Sequence, residues 1–86
     1  MRVFTVYSLE GEQTVGVYKT INDVYNGIEK FISSGEGELE GIKFSLDREE
    51  MEKIIKNKRR IPYLEVTYYV EYGIGEVRYD IDYWDI

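Results

Sequence analysis

The chain lacks the residues on which most small enzymes and metalloproteins depend. It has 86 residues, with no Cys and no His. Without Cys there is no disulfide, no thiolate nucleophile and no Cys-based metal site. Without His, the commonest general acid/base and the commonest metal ligand are missing too. We therefore predict a protein that is not an enzyme and that uses neither cofactor nor metal.

Alanine is also absent, and Pro62 is the single proline. The apolar residues are instead rich in Ile, Val and Tyr, which favour β-strands. No apolar run approaches the roughly 18 residues that a membrane-spanning helix needs. The N-terminal segment does not have the basic-then-apolar order of a signal peptide, so we expect a cytoplasmic protein without a membrane partner.

Positive charge is scarce as well. Seventeen Asp and Glu residues outnumber eleven Lys and Arg residues, which gives a net charge of −6. A surface of this sign repels phosphates, so direct binding to nucleic acid is disfavoured. The charge suits a protein partner that carries a basic patch.

The spacing of apolar residues predicts seven elements in the order ββαβαββ. Period-two alternation indicates strands, and an apolar stripe at helical spacing indicates a helix after Thr20 and another after Asp47. The predicted strands cover 3–9, 14–19, 42–46, 63–72 and 77–84, and the predicted helices cover 21–32 and the segment from 47 toward Pro62. We predict one α+β domain over residues 1–86, with a mostly antiparallel sheet of about five strands and both helices on one face.

Three boundaries in this prediction depend on local residue types. Ser33-Ser34-Gly35 is predicted to end the first helix, and Pro62 the second. Gly73-Ile74-Gly75 is predicted to form the turn between the last two strands. An unpaired edge strand would also allow a homodimer.

The C-terminal strand pair carries the predicted partner-binding site. Acidic and aromatic residues alternate outward there, and such a mixture is typical of binding surfaces. The site consists of Glu65, Tyr69, Glu71, Asp80, Asp82 and Trp84, followed by Asp85. The alternative is that these residues form only a solvated sheet face.

Two further clusters have plainer interpretations. Lys56, Lys58, Arg59 and Arg60 could contact phosphate or an acidic partner, but their place at a helix end is explained by the helix dipole. The glycines at 35, 37 and 41 do not have the spacing of a phosphate-binding loop, and Glu36, Glu38 and Glu40 between them would repel phosphate. The same acidic residues do not have the order of a known calcium-binding loop.

The segment from Val6 to Thr20, Val-Tyr-Ser-Leu-Glu-Gly-Glu-Gln-Thr-Val-Gly-Val-Tyr-Lys-Thr, precedes a predicted helix. It resembles the start of small phage-encoded α+β proteins, in which a hairpin leads into a capped helix. The resemblance covers about the first third of the chain. Such proteins include inhibitors of host defence, among them anti-CRISPR proteins, many of which occlude a nucleic-acid-binding surface. The resemblance implies a virus-encoded inhibitor that acts in the host cytoplasm by mimicking nucleic acid.

Other functions remain open from the sequence. An immunity protein that plugs a toxin nuclease would need the same acidic surface. A protein that sequesters a nucleotide signal would need basic groups at a pocket, and we expect Lys56 to Arg60 to supply them only through oligomerisation. A structural virion subunit would form a large homo-oligomer.

Overall fold

The computed structural model describes all 86 residues, and its elements follow the predicted order. They are β1 (Arg2–Ser8), β2 (Gln13–Tyr18), α1 (Ile21–Glu36), β3 (Gly41–Phe44), α2 (Arg48–Lys56), β4 (Leu64–Val70) and β5 (Gly73–Asp85). The strands form one sheet in the order β2-β1-β5-β4-β3, with every neighbouring pair antiparallel. The predicted α+β fold of five strands and two helices is confirmed.

The core lies between the helices and one face of the sheet. The stripe predicted on α1 is buried at Val24, Tyr25, Ile28 and Ile32. The alternating residues of the central strands point toward it, and a single cluster of 14 buried side chains results. Burying an aliphatic or aromatic side chain of this kind stabilises the fold by about 1.5–3 kcal/mol. The opposite face of the sheet carries no helix and is left for other contacts.

β5 is the central strand, and its two halves have different neighbours. Residues 79–85 pair with β1, whereas residues 73–79 pair with β4, so Tyr79 alone has a partner on both sides. A strand of 13 residues extends about 40 Å at roughly 3.3 Å per residue, which accounts for the longest dimension of 41 Å. The helix-free face is therefore long and consists of a β1 half and a β4 half.

Thr20 and Asp47, which precede the two predicted helices, are the N-caps of α1 and α2, but the C-terminal ends of both helices differ from the prediction. The Thr20 side chain accepts from the Asp23 N–H, and Asp47 forms a reciprocal capping box with Glu50. α1 continues past the predicted stop to Glu36 and is capped by Gly37 at φ 89°. The stop was wrong because the Ser33 and Ser34 hydroxyls donate to carbonyls three residues back, which keeps both serines compatible with the helix.

α2 ends at Lys56, well before Pro62. The chain leaves the helix through Asn57 and Lys58, and Lys58 has a left-handed backbone with φ 54°. This residue, rather than the proline, terminates the helix, because a left-handed residue cannot continue the right-handed spiral.

The turn between β4 and β5 lies at Glu71 and Tyr72, not at Gly73-Ile74-Gly75. Val70 pairs with Gly73, so both glycines belong to β5. Gly75 faces Tyr68 across the pair, and a Cβ there would lie 2.0 Å from the Tyr68 ring. A glycine is needed here because the Tyr68 ring packs directly against the β5 backbone at Gly75. The turn prediction was wrong because glycine is also common in turns.

Gly27 in the middle of α1 has a similar role. A Cβ at this position would lie 2.4 Å from the ring carbon of Tyr18 that carries the hydroxyl, so the absence of a side chain lets β2 approach the helix. Gly27→Ala is therefore expected to lower the free energy of unfolding by about 1 kcal/mol or more through overpacking, although alanine is the better helix former. Urea unfolding of the purified variant measures this change.

Gly35 provides the matched control in the same helix. A Cβ at Gly35 would meet nothing within 4 Å, so Gly35→Ala is expected to raise the free energy of unfolding by up to about 1 kcal/mol. Equal stabilisation by both alanines would show that Tyr18 does not require the glycine.

Candidate acidic-aromatic interface

The helix-free face of the sheet carries an unusual number of exposed apolar side chains. Trp84 is 52% exposed and Ile74 is 69% exposed. The exposed apolar residues on the strands of this face are Tyr7, Val17, Tyr69, Ile74 and Trp84. Exposed apolar side chains that share one sheet face of a small protein are a candidate interaction surface.

In the β1 half, carboxylates and aromatic rings lie side by side. Asp80 is paired across the strands with Tyr7, Asp82 with Thr5, and Trp84 with Val3. Thr5 in turn faces Val17 on β2. Side chains paired in this way stand about 4.5–5.5 Å apart at their Cβ atoms. The acidic-aromatic patch is defined by Tyr7, Val17, Asp80, Asp82 and Trp84.

The two carboxylates of the patch, Asp80 and Asp82, form no ion pair within the chain. The structure contains two ion pairs, Arg2 with Asp85 at 2.9 Å and Arg78 with Glu10 at 3.0 Å, and neither uses Asp80 or Asp82. Arg78 is the only cation of β5, and Glu10 already binds it. The charge of the patch is therefore uncompensated by any ion pair.

Two other carboxylates are already engaged. The Arg78 backbone N–H donates to the Glu10 carboxylate, which lowers the pKa of Glu10 below its usual value. The Arg2 guanidinium donates to Asp85 and lowers the pKa of Asp85 in the same way. By strand alternation, Asp85 lies on the helix side of the sheet, so it does not join Asp80 and Asp82.

The remaining predicted residues lie in the β4 half of the face. Glu65 is paired with Arg78, and Tyr69 with Ile74. Glu71 lies in the turn beyond the strands. Ile74 and Trp84 are separated by about 33 Å along β5 at roughly 3.3 Å per residue. The structure thus brings Asp80, Asp82 and Trp84 together, leaves Glu65 beside Arg78 at the middle of the face, and places Tyr69 and Glu71 toward the other end.

Sequence reasoning missed Tyr7 and Val17. The pattern of β1 contained a signal, because Val3, Thr5 and Tyr7 alternate with the buried Phe4 and Val6. The alternation predicts on which face of the sheet Tyr7 lies. It does not predict which strand lies next to β1, because the neighbouring position of β5 follows only from the strand order.

The structure places the residues of the basic cluster, predicted at positions 56–60, at different sites. Lys56 and Lys58 line a cleft on the helix side together with Arg2, and the Arg59 carbonyl accepts from the Tyr83 hydroxyl at 3.5 Å.

No group of three or more Asp or Glu residues has a geometry that could hold a metal ion. None of the helices has the length and apolar character needed to cross a membrane.

Comparison with known proteins found no similar family, curated protein or solved structure for this chain.

Proposed function

We propose that this protein is a non-enzymatic inhibitor whose acidic-aromatic patch docks on a basic, nucleic-acid-binding surface of another protein. The observation that supports the proposal is the placement of two unpaired carboxylates, Asp80 and Asp82, between the exposed rings of Tyr7 and Trp84. Bound there, the patch would occupy the place of the phosphate backbone and keep nucleic acid away.

The two chemical components of the patch would have separate effects. Carboxylates at the surface of a complex steer the encounter with a basic partner and mainly raise the association rate. Exposed aromatic rings bury a large area at a small cost in conformational entropy and mainly slow dissociation. A basic nucleic-acid-binding surface complements both, because it presents cations to the carboxylates and to the faces of the rings.

The source of the partner is a further part of the proposal. A host defence protein as target, and a viral origin of this chain, are supported by the resemblance of the segment from Val6 to Thr20 to phage proteins. An immunity protein acting on a toxin nuclease would use the same patch. The biochemical activity of the bound partner distinguishes the two functions.

The proposal predicts that Asp80→Asn/Asp82→Asn weakens capture of a basic partner. Immobilised protein is incubated with lysate at low salt, and retained proteins are eluted with a DNA fragment and then with high salt. The retained partner is then purified, and its association rate is measured. We expect the double variant to associate about tenfold more slowly, because long-range attraction is lost.

Glu29→Gln/Glu38→Gln is the matched control, since it removes the same charge from residues outside the sheet. It should retain the partner as the wild type does, and DNA should displace the partner from both proteins. The docking proposal would be wrong if the two double variants slowed association equally, or if DNA failed to compete.

A further inference from the structure

A large cleft opens on the helix side of the sheet, opposite the acidic-aromatic patch. It lies between α2, the start of α1 and the adjacent ends of β1 and β5, and has a volume of about 1140 Å³. This volume slightly exceeds the roughly 300–1,000 Å³ that is usual for small-molecule sites. Ile21, Ile55 and Tyr83 give the cleft an apolar lining.

The cleft is lined by four cations and three carboxylates, which gives it a formal charge of +1 in a chain whose net charge is −6. Lys53, Lys56 and Lys58 line it, and none of the three has a carboxylate within ion-pair distance. Arg2 is held at the edge by its bonds to Asp85 and lies over the Tyr83 ring, 5.5 Å from the ring centre. A single chain thus brings several cations to one cleft, which the sequence suggested would require an oligomer.

Lys58 occupies an unusual backbone position for a lysine. It follows the C-cap Asn57 with φ 54°, where a left-handed residue is usually glycine. A residue with a Cβ is strained there, and strained positions cluster at binding sites. The position directs a third ammonium group to the wall of the cleft.

Carboxylates line the same cleft beside the lysines. Glu49 and Glu52 lie on the α2 wall and have no ion-pair partner. Oxygens of this kind accept hydrogen bonds from ligand hydroxyl and amino groups, while ammonium groups bind phosphate as point charges. The lining therefore offers cations, acceptors and apolar surface to one ligand.

From this combination we infer that the cleft binds a nucleoside di- or triphosphate. Lys53, Lys56 and Lys58 would hold the phosphates, and Glu49 and Glu52 would accept from the sugar hydroxyls or the amino group of the base. The base would lie against Ile21 and Tyr83, the two partly exposed apolar residues of the lining. This site is independent of the proposed function, because it lies on the other side of the sheet.

The test compares two triple variants by calorimetric titration with ATP, without divalent cations. The chain has six lysines, three in the cleft and three elsewhere at positions 19, 30 and 43. Replacing the cleft lysines by Gln should weaken ATP binding at least about 100-fold, because each lost charge-assisted contact is worth roughly tenfold. The control triple Lys19→Gln/Lys30→Gln/Lys43→Gln should bind as the wild type does.

Two further arms test the class of ligand. Adenosine and inorganic triphosphate should each bind more weakly than ATP, because each makes only part of the contacts. Lys58→Gly should raise the midpoint of thermal unfolding and still weaken ATP binding, which a purely structural role of Lys58 would not produce. The inference is overturned if ATP does not bind, if the cleft triple binds as the control does, or if triphosphate alone binds as tightly as ATP.

Discussion

Replacing Tyr25 by Ala is expected to lower the free energy of unfolding by about 3–5 kcal/mol, the range for deletion of a buried aromatic ring. The side chain is only 1% exposed, and its ring packs edge-on against Phe44 with 4.7 Å between the centroids. Burial also raises the pKa of Tyr25 to about 12.

The hydroxyl of Tyr25 gives this residue a second role. It donates to the Leu46 carbonyl at 2.6 Å, directly before α2 begins, and the Arg48 guanidinium lies 4.8 Å from the ring centre. Tyr25 thereby joins α1 to the start of α2. Tyr25→Phe should cost about 1–3 kcal/mol, because the Leu46 carbonyl loses a donor in a partly buried place.

Tyr63→Ala is the control for the tyrosine series, because this ring is exposed. Its cost is expected to stay within about 0.5 kcal/mol, as for most surface substitutions. Guanidinium unfolding followed by far-ultraviolet circular dichroism measures all three variants. A stability of about 4–13 kcal/mol is usual for this length, so Tyr25→Ala should remove a large share of it. A cost similar to that of Tyr63→Ala would refute the packing described here.

Trp84→Ala is expected to have the largest effect on partner binding, with a loss of at least about 2 kcal/mol, or roughly 30-fold in Kd. Trp84 lies beside the free carboxylate of Asp82 on β5, with Val3 across the strand pair. Under the docking proposal, this ring would fill a pocket on the partner and exclude water from the neighbouring charge contacts. Most of the loss should appear as faster dissociation.

Tyr72→Ala provides a matched control for the tryptophan. Tyr72 is 93% exposed, but it lies in the turn at the far end of β5 from the patch. Its removal should leave Kd unchanged within about twofold, since exposed residues outside an interface contribute little. Surface plasmon resonance with the captured partner measures both variants. If Tyr72→Ala weakened binding more than Trp84→Ala, the contact would lie at the hairpin tip.

Much of the fold could be predicted because its signals are local. The apolar stripe of α1 and the alternation in β4 and β5 each lie within a short segment, and the Asp47–Glu50 capping box is read from four residues. The boundaries were less predictable where a residue type has two uses. Gly75 was predicted to be a turn residue, but its role is to accommodate Tyr68, as Gly27 accommodates Tyr18 in α1.

The candidate site was predictable only along single strands. Alternation correctly put Asp80, Asp82 and Trp84 on one side of β5, because neighbouring outward residues follow from the pleat. β1 and β4 pair with different halves of β5, and these pairings join segments that are distant in the sequence. The separation of Tyr69 from Trp84 therefore could not be predicted from the sequence. The contact of Arg2 with Asp85 joins residues 83 positions apart, and no local sequence pattern predicts it.

Hydroxyl-radical footprinting of the complex with the captured partner tests the central proposal most directly. The reactivity of each exposed aromatic side chain is measured by mass spectrometry in the free protein and in the complex. The docking proposal predicts that Tyr7 and Trp84 lose most of their reactivity on binding, whereas Tyr72 remains as reactive as before. Unchanged reactivity of Tyr7 and Trp84 in a saturated complex would contradict it.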